Sequence, residues 1–363
     1  MLLDSVQRFV KDNYTLSQRE RIRTTDGVHW STYAELGWLG IGIPEEYGGN
    51  GRSFADIAII SEALGQGLVL EPYLGAGVLV PQLILEAGTV EQRADLLPRI
   101  IEGSTISALA HMEDAARGRV EYMETTAAGT AGGYVLRGHK TAVLGGPHAT
   151  ELLVAARTSG EPSDRGGITL FRVDRGAPGL VVRDYQMIDR MAVSDFLFEE
   201  VVVSGRDVVG VVGEAYSALE RAMQIAIIAA AADAVGSMTA ALSHTCTYLQ
   251  TRKQFGVPLG DFQALRHRIA DMQVALELAR SSLYRGLAGL ENLDPGARAK
   301  TVSSTKIMIA HASRIVGGQS VQLHGGVGVT EEFPVGHHFK HLTVLNALFG
   351  TDDYHVARMG ELI

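Results

Sequence analysis

The sequence predicts an α+β protein in which an N-terminal helical domain, a middle β-barrel domain and a C-terminal four-helix bundle follow one another. The apolar period carries that reading: helical up to about residue 103, two between 104 and 208, and helical again from 209. Size agrees with it. The chain has 363 residues, 46% hydrophobic and 20% charged, enough for a large core and two or three domains. The expected domains are therefore 1–103, 104–208 and 209–363.

In the first segment Val6, Phe9 and Val10 begin an amphipathic stretch, and Tyr33, Leu36 and Leu39 follow at three-residue steps. Residues 44–51, Pro-Glu-Glu-Tyr-Gly-Gly-Asn-Gly, are too rich in Gly and Pro for a helix and read as a loop. Helical spacing resumes at Ile57, Ile60 and Leu64, and 92–101 reads as a further helix closed by Gly103. In the second segment 133–138 has hairpin character, and 152–156, 168–173 and 196–203 read as strands. Short strands punctuated by Gly suit a small barrel or sandwich. In the third, 216–250 is Ala-rich with few breakers. Leu265, Ile269, Met272, Leu276, Ala279 and Leu283 step by four and three, as the seam of an antiparallel bundle does. Residues 292–296 make the turn to the next helix, and no internal repeat or low-complexity tract interrupts the chain.

Charge and cysteine content narrow the function. Lys and Arg number 32 against 41 Asp and Glu, a formal charge of −9, which argues against nucleic acid as a partner. Cys246 is the single cysteine, so an internal disulfide and a multi-thiolate zinc site are excluded, and no metal is expected. No secretory leader pattern opens the chain, and the longest apolar run, 225–232, falls short of the roughly 18 residues of a membrane span. The expectation is a cytoplasmic protein with no membrane attachment. Glycine, 42 of 363 residues, marks turns and close backbone approaches.

Two motifs in the third segment point to a cofactor. Thr251-Arg-Lys-Gln-Phe-Gly256, followed by Phe262-Gln-Ala-Leu265, offers Arg252 as a forked cation for a pyrophosphate and Phe255 as an aromatic face beside it. Val321-Gln-Leu-His-Gly-Gly-Val-Gly328, continued by Glu332-Phe-Pro334, sets the amide of Gln322, suited to an adenosine, beside Gly325 and Gly326, which admit a phosphate. With the helix–β–helix order, these motifs resemble the acyl-CoA dehydrogenase family of flavoenzymes over nearly the whole chain. The loop 42–49 is also similar to one of that family, and reads as structural. The family's first helix would begin before Met1, which implies a short or missing N-terminal piece. The resemblance implies FAD as cofactor. Arg252, Phe255, Gln322, Gly325 and Gly326 would reach the ADP half of an FAD held by the neighbouring subunit. It also implies an acyl-CoA substrate, an oligomer of at least two chains, and an electron-transferring flavoprotein as acceptor. His324 reads as packing. His337, His338 and His341 read as a cationic helix face rather than a metal site.

The chemistry the resemblance implies is concerted: a carboxylate takes the α-proton of an acyl-CoA while the flavin takes the β-hydrogen as hydride. In most members the base is a Glu before Gly-Thr. Here Ala347-Leu-Phe-Gly-Thr351 puts Phe349 at that place, and the alternative position on an earlier helix falls on Ala226. Glu220 precedes Ala226 by about 9 Å along a helix axis. Asp352 and Asp353 are the carboxylates nearest Phe349 in sequence, and both also suit a solvated helix N-cap. The flavin motif resembling Thr-Glu-Pro-x-x-Gly-Ser becomes Met112-Glu-Asp-Ala-Ala-Arg-Gly118, which keeps only Glu113 and loses to Met112 the hydroxyl that would bond the flavin. Lys-x-Trp-Ile-Thr becomes Lys140-Thr-Ala-Val-Leu144, so Ala142 replaces the covering Trp and Leu144 the Thr near the flavin. Three readings stay open at this stage. One is a subunit, similar to the small subunit of pimeloyl-CoA dehydrogenase-type and steroid side-chain-type enzymes, that completes the FAD site of a homologous catalytic partner. Another is a self-sufficient acyl-CoA dehydrogenase using Asp352, Asp353 or Glu220 as base. The third is a non-enzymatic scaffold whose FAD motifs are relics.

Overall fold

A computed structural model describes residues 2–22, 29–51 and 53–362, so Met1 lies outside the described residues. Helices come first: α1 (Leu2–Asn13), α2 (Leu16–Ile22), α3 (Trp30–Glu35), α4 (Phe54–Gln66), α5 (Val80–Ala87) and α6 (Val90–Ile101). The 44–51 loop holds one 3-10 turn, Glu45–Tyr47. α6 begins with a capping box: the Gln92 amide donates to Thr89 Oγ1 at 3.3 Å and the Thr89 amide donates to Gln92 Oε1 at 3.0 Å. A π-helical turn, Tyr73–Leu79, leads into α5 with every residue buried; uniform apolarity over seven residues gave no period by which to see it.

Strands follow: β1 (Ser107–Ala110), β2 (Thr126–Thr130), β3 (Gly133–Leu144), β4 (Glu151–Arg157), β5 (Ile168–Asp174), β6 (Leu180–Gln186), β7 (Ala192–Ser204) and β8 (Val208–Val209). They pair in the order β6-β7-β3-β2-β4-β5-β8, with β1 added in parallel to β4. The expected hairpin is β2–β3, in register from Thr130↔Gly133 to Thr126↔Arg137. The sheet is not the closed barrel the spacing suggested, because β6 and β8 stand at its two ends and β8, only two residues long, offers too little backbone to close it. Leu136, Leu152, Val154, Phe171, Phe196 and Phe198 form its buried core.

The remaining elements are α7 (Tyr216–Thr251), a small hairpin of β9 (Lys253–Gln254) and β10 (Val257–Pro258), then α8 (Gln263–Asn292), α9 (Pro295–His324), α10 (Pro334–Ala347) and α11 (Asp352–Glu361). The 292–296 turn is capped by Asp294, whose Oδ1 accepts from the amides of Gly296 and Ala297 at 3.0 and 3.1 Å. α7 is long and apolar enough to span a membrane by composition alone, yet 83% of its most apolar stretch is buried inside the protein.

Packing divides the chain into two compact units. The helical unit takes the described residues of 1–24, 58–69 and 227–363; the sheet unit takes those of 25–57 and 70–226. In the helical unit α4 and α7 touch backbone to backbone. A Cβ on Gly65 would lie 2.1 Å from the Asp233 carbonyl oxygen, and one on Gly236 1.8 Å from that of Glu62, so only glycine fits. Arg280 fastens α8 to this crossing, donating to Glu62 at 2.6 Å and to Thr239 at 3.1 Å. The reading of His337, His338 and His341 as a cationic face is overturned, for all three are buried. His338 Nδ1 meets Ser237 Oγ at 2.9 Å and His341 Nε2 meets Asp233 Oδ1 at 2.7 Å. Burial, then neighbouring cations, hold His338 far below its ordinary pKa, so its ring is neutral.

Candidate cofactor site

The first motif begins where α7 ends. The Arg252 amide donates to the Tyr248 carbonyl at 2.8 Å, and the Arg252 carbonyl accepts from the Leu259 amide at 2.8 Å. The chain between them folds into the β9–β10 hairpin, in which Gln254 faces Val257. Its two turn residues, Phe255 (φ +55°) and Gly256 (φ +84°), both have positive φ, the requirement of a type I′ turn. Glycine adopts that conformation freely; phenylalanine does so at a cost of about 1–2 kcal/mol. Phe255 is also 90% exposed, touching Phe262 only edge-on at a centroid distance of 6.2 Å. Folding gains little from a strained backbone that holds a large apolar ring in water. Arg252 is exposed, with no ion-pair partner among the described residues.

The second motif begins where α9 ends. Gly325 (φ +61°) caps α9 by donating to the Gln322 carbonyl, and the chain turns through a 3-10 segment, Gly325–Val329. Gln322, Gly325 and Gly326 are exposed, and a Cβ on either glycine would meet nothing within 4 Å. The structure brings the roots of the two motifs together. Tyr248, one turn before Arg252, stacks on His324, the residue before Gly325, at 4.4 Å and 29°. Phe333 packs on both, 4.8 Å from His324 and 6.1 Å from Tyr248. His324 is buried and its Nδ1 meets the Ser320 carbonyl at 2.7 Å. An exposed fork of donors, an open aromatic ring and glycines with free space fit the diphosphate and adenosine of FAD.

The residues aligned with a flavin ring lie in the sheet unit, and they also come together. The Thr141 amide donates to the Met112 carbonyl at 2.9 Å. Beside that contact Lys140 Nζ donates to Glu113 Oε1 at 2.7 Å and to the His111 carbonyl at 3.1 Å, and the Glu113 carboxylate also accepts from the amides of Glu124 and Thr125. Burial pushes the Glu113 carboxyl up, but Lys140 and these amides outweigh it and the net shift is downward. Burial pulls Lys140 down to about 8 against the pull of Glu113. Both side chains are spent inside the unit. Ala142 sits at a bulge between Lys140 and Val143 with φ +50°, its amide donating to Asp195 at 3.0 Å. Leu144 is buried against Gly75 of the π-helical turn. Met112, Ala142 and Leu144 thus place apolar side chains at the positions aligned with the flavin ring.

The candidate bases are divided between the units, Glu220 in the sheet unit and Asp352 and Asp353 in the helical unit. Phe349 (φ +59°) and Gly350 (φ +95°) form a tight turn before α11. It is gripped from within: Lys306 Nζ donates to the carbonyls of Leu345 at 2.5 Å and Leu348 at 2.8 Å, and His355 Nε2 meets the Phe349 carbonyl at 3.1 Å. Thr351, not Asp352 or Asp353, is the N-cap of α11. Asp352 accepts from Arg314 at 2.7 Å, a bond that holds its carboxyl below the usual range and makes it a poor proton acceptor. Asp353 is exposed in the first turn. Glu220 accepts from Tyr216 at 3.2 Å, and Ala226 is fully buried. Lys306 and His355 were not singled out in the sequence; a lone Lys among Val302, Ser303, Ile309 and Ala310 on the buried side of α9 is the signal that reveals the first. Among the described residues no cluster of His, Cys, Asp and Glu could hold a metal ion.

Comparison with known proteins matches three successive domains. Residues 1–104 match the acyl-CoA dehydrogenase N-terminal domain, 108–201 the middle domain and 216–363 the C-terminal domain. The chain belongs to the acyl-CoA dehydrogenase family. The mitochondrial 2-methylacyl-CoA dehydrogenase of Solanum tuberosum is 30% identical, over 96% of this chain and 86% of that one. Among solved structures, the Tcur3481-Tcur3483 steroid ACAD variant is 28% identical with a TM-score of 0.88, covering 99% of this chain and 96% of that one. The ChsE4-ChsE5 complex from Mycobacterium tuberculosis is 26% identical with a TM-score of 0.87, covering 99% and 95%. The acyl-CoA dehydrogenase family implies FAD as cofactor, and the adenosine-side residues of this chain suit it.

Proposed function

We propose that this acyl-CoA dehydrogenase family chain is one subunit of a heteromeric enzyme and completes the FAD site of a homologous catalytic partner. One observation carries the reading: the adenosine-side residues stand open and unspent, whereas the flavin-side positions are apolar and the base position is Phe349. Bound FAD supplies the hydride acceptor for α,β-dehydrogenation of an acyl-CoA. In this reading Arg252 neutralises the diphosphate, Phe255 covers it, Gln322 reads the adenosine, and Gly325 and Gly326 let the backbone approach. The partner brings the base and the flavin pocket, and electrons leave to an electron-transferring flavoprotein. The complex acts in the cytoplasm, in acyl-chain β-oxidation. Both solved relatives described above carry paired names, which supports a two-chain arrangement.

The test is reconstitution. The chain purified alone is expected to be colourless, and to become part of a yellow, active complex when mixed with a homologous chain that carries the Glu. Arg252→Ala should weaken flavin retention in that complex about ten- to a hundredfold, the range of a hydrogen bond to a charged group, and Gln322→Ala about two- to tenfold, the range of a bond to the neutral adenosine. A yellow isolated chain bleached anaerobically by an acyl-CoA would establish the self-sufficient alternative instead. Flavin content and activity unaffected by this chain would leave the scaffold reading.

A further inference from the structure

The two cofactor motifs lie some seventy residues apart in sequence, between Arg252 and Gln322, and each is a short exposed segment. Loose segments bind poorly, because ordering them on arrival of the ligand costs entropy. What ties them is the ring stack at their roots. Tyr248 precedes Arg252 by one helical turn and holds its amide; His324 lies two residues after Gln322 and directly before Gly325. The rings meet at 4.4 Å and 29°, and Phe333 closes the group.

The hydrogen bonding of His324 does not explain the choice of residue. Its Nδ1 is anchored on the Ser320 carbonyl, but its Nε2 is buried and has no partner among the described residues. A buried acceptor without a donor is a cost. The ring plane is what the site uses. The turn beyond it packs closely on the end of α9, since a Cβ on Gly328 would lie 3.0 Å from His324 Cβ and 2.7 Å from the Val321 carbonyl oxygen.

We propose that Tyr248 and His324 are positioning residues whose stacked rings lock the Arg252 hairpin and the Gln322–Gly326 turn into one preformed clamp for the adenosine diphosphate half of FAD. The proposal rests on the cofactor-completing reading and adds how the clamp is preorganised. In this role each ring acts through the segment it roots.

The experiment is a double-mutant cycle on the reconstituted complex, read as the FAD dissociation constant by flavin fluorescence, with thermal unfolding as the control for folding. His324→Ala is expected to weaken FAD about tenfold. His324→Phe, which keeps a ring and removes the unsatisfied nitrogen, should restore affinity to within about threefold of the parent. Arg252→Ala should cost at least about tenfold in the parent and less than about threefold in the His324→Ala background, because an unlocked arginine contributes little. Tyr248→Leu offers a second way into the same cycle should His324→Ala fail to fold. Multiplicative effects in a folded double variant, or an unchanged constant in His324→Ala, overturn the positioning role while the cofactor-completing reading stands. An unchanged constant in Arg252→Ala alone removes that reading, and the clamp with it.

Discussion

The two units treat their polar side chains in opposite ways. In the sheet unit Glu113 and Lys140 are buried and matched to one another, so their charges are consumed by the fold. In the helical unit Arg252 and Gln322 lie in solvent, and Phe255 is held in a strained conformation with its ring exposed. Folding gains nothing from that second arrangement. A fold keeps strained and exposed groups where something outside it uses them, and keeps buried pairs where it needs them itself. The contrast therefore separates polar residues that the fold consumes from residues that it leaves in solvent, and the proposed FAD-completing role gives the second set its use.

The strongest way to break the comparison is to remove one member of the buried pair. Lys140→Met leaves the Glu113 carboxylate in a buried site with its cation gone, a change expected to cost about 3–5 kcal/mol. Denaturant unfolding of the isolated chain measures it. Adding Glu113→Leu should recover most of that loss, because two apolar groups need no mutual charge. A single variant as stable as the parent would mean that this pair does not sustain the sheet unit.

Acid titration sharpens the same comparison, since each unit contains a buried histidine. His111 in the sheet unit and His355 in the helical unit are both pulled down to about 4. Burial is the main cause in each, followed by Lys140 for His111 and Lys306 for His355. In the unfolded chain a histidine titrates near 6.5. Between 6.5 and 4 the unfolded state then binds a proton that the folded state refuses. Stability is full above pH 6.5, falls as the pH drops through this window, and levels off below 4. Each histidine can account for about 3 kcal/mol over that span. Unfolding free energies measured from pH 7 to 4 should therefore slope less in His111→Asn and in His355→Asn than in the parent. A parent curve flat across this range would remove the prediction for both units.

How much of this was legible in the sequence depends on distance along the chain. The α8 seam and the Asp294 turn are local patterns, and the structure contains both of them. β6 was missed because it is an edge strand whose residues are largely exposed, so it carries no clean alternation. His338 and His341 of α10 were misread because their partners, Ser237 and Asp233, lie 101 and 108 residues away on α7. Lys306 escaped for the same reason, its carbonyl partners being 39 and 42 residues distant. The losses at Met112, Ala142, Leu144 and Phe349 were visible by position alone. What position could not give is that Asp352 pairs with Arg314, a bond that holds its carboxyl below the usual range.

The smallest effect is the most discriminating, because it sets stability against function at a single residue. Phe255 occupies the first position of a turn that asks for φ > 0, where asparagine is preferred and phenylalanine is strained. Its ring is 90% exposed, so removing it forfeits little burial. Phe255→Asn should then stabilise the isolated chain by about 1 kcal/mol through relief of the left-handed strain. The same change deletes the aromatic face beside the diphosphate, and should lower flavin retention in the reconstituted complex severalfold. Equilibrium unfolding of the lone chain and flavin binding by the complex must therefore move in opposite directions. If Phe255→Asn destabilises the lone chain, the ring is a folding contact and the hairpin belongs with the residues that the fold spends on itself. If stability rises and flavin retention is unchanged, the strain is real but serves some contact other than the cofactor.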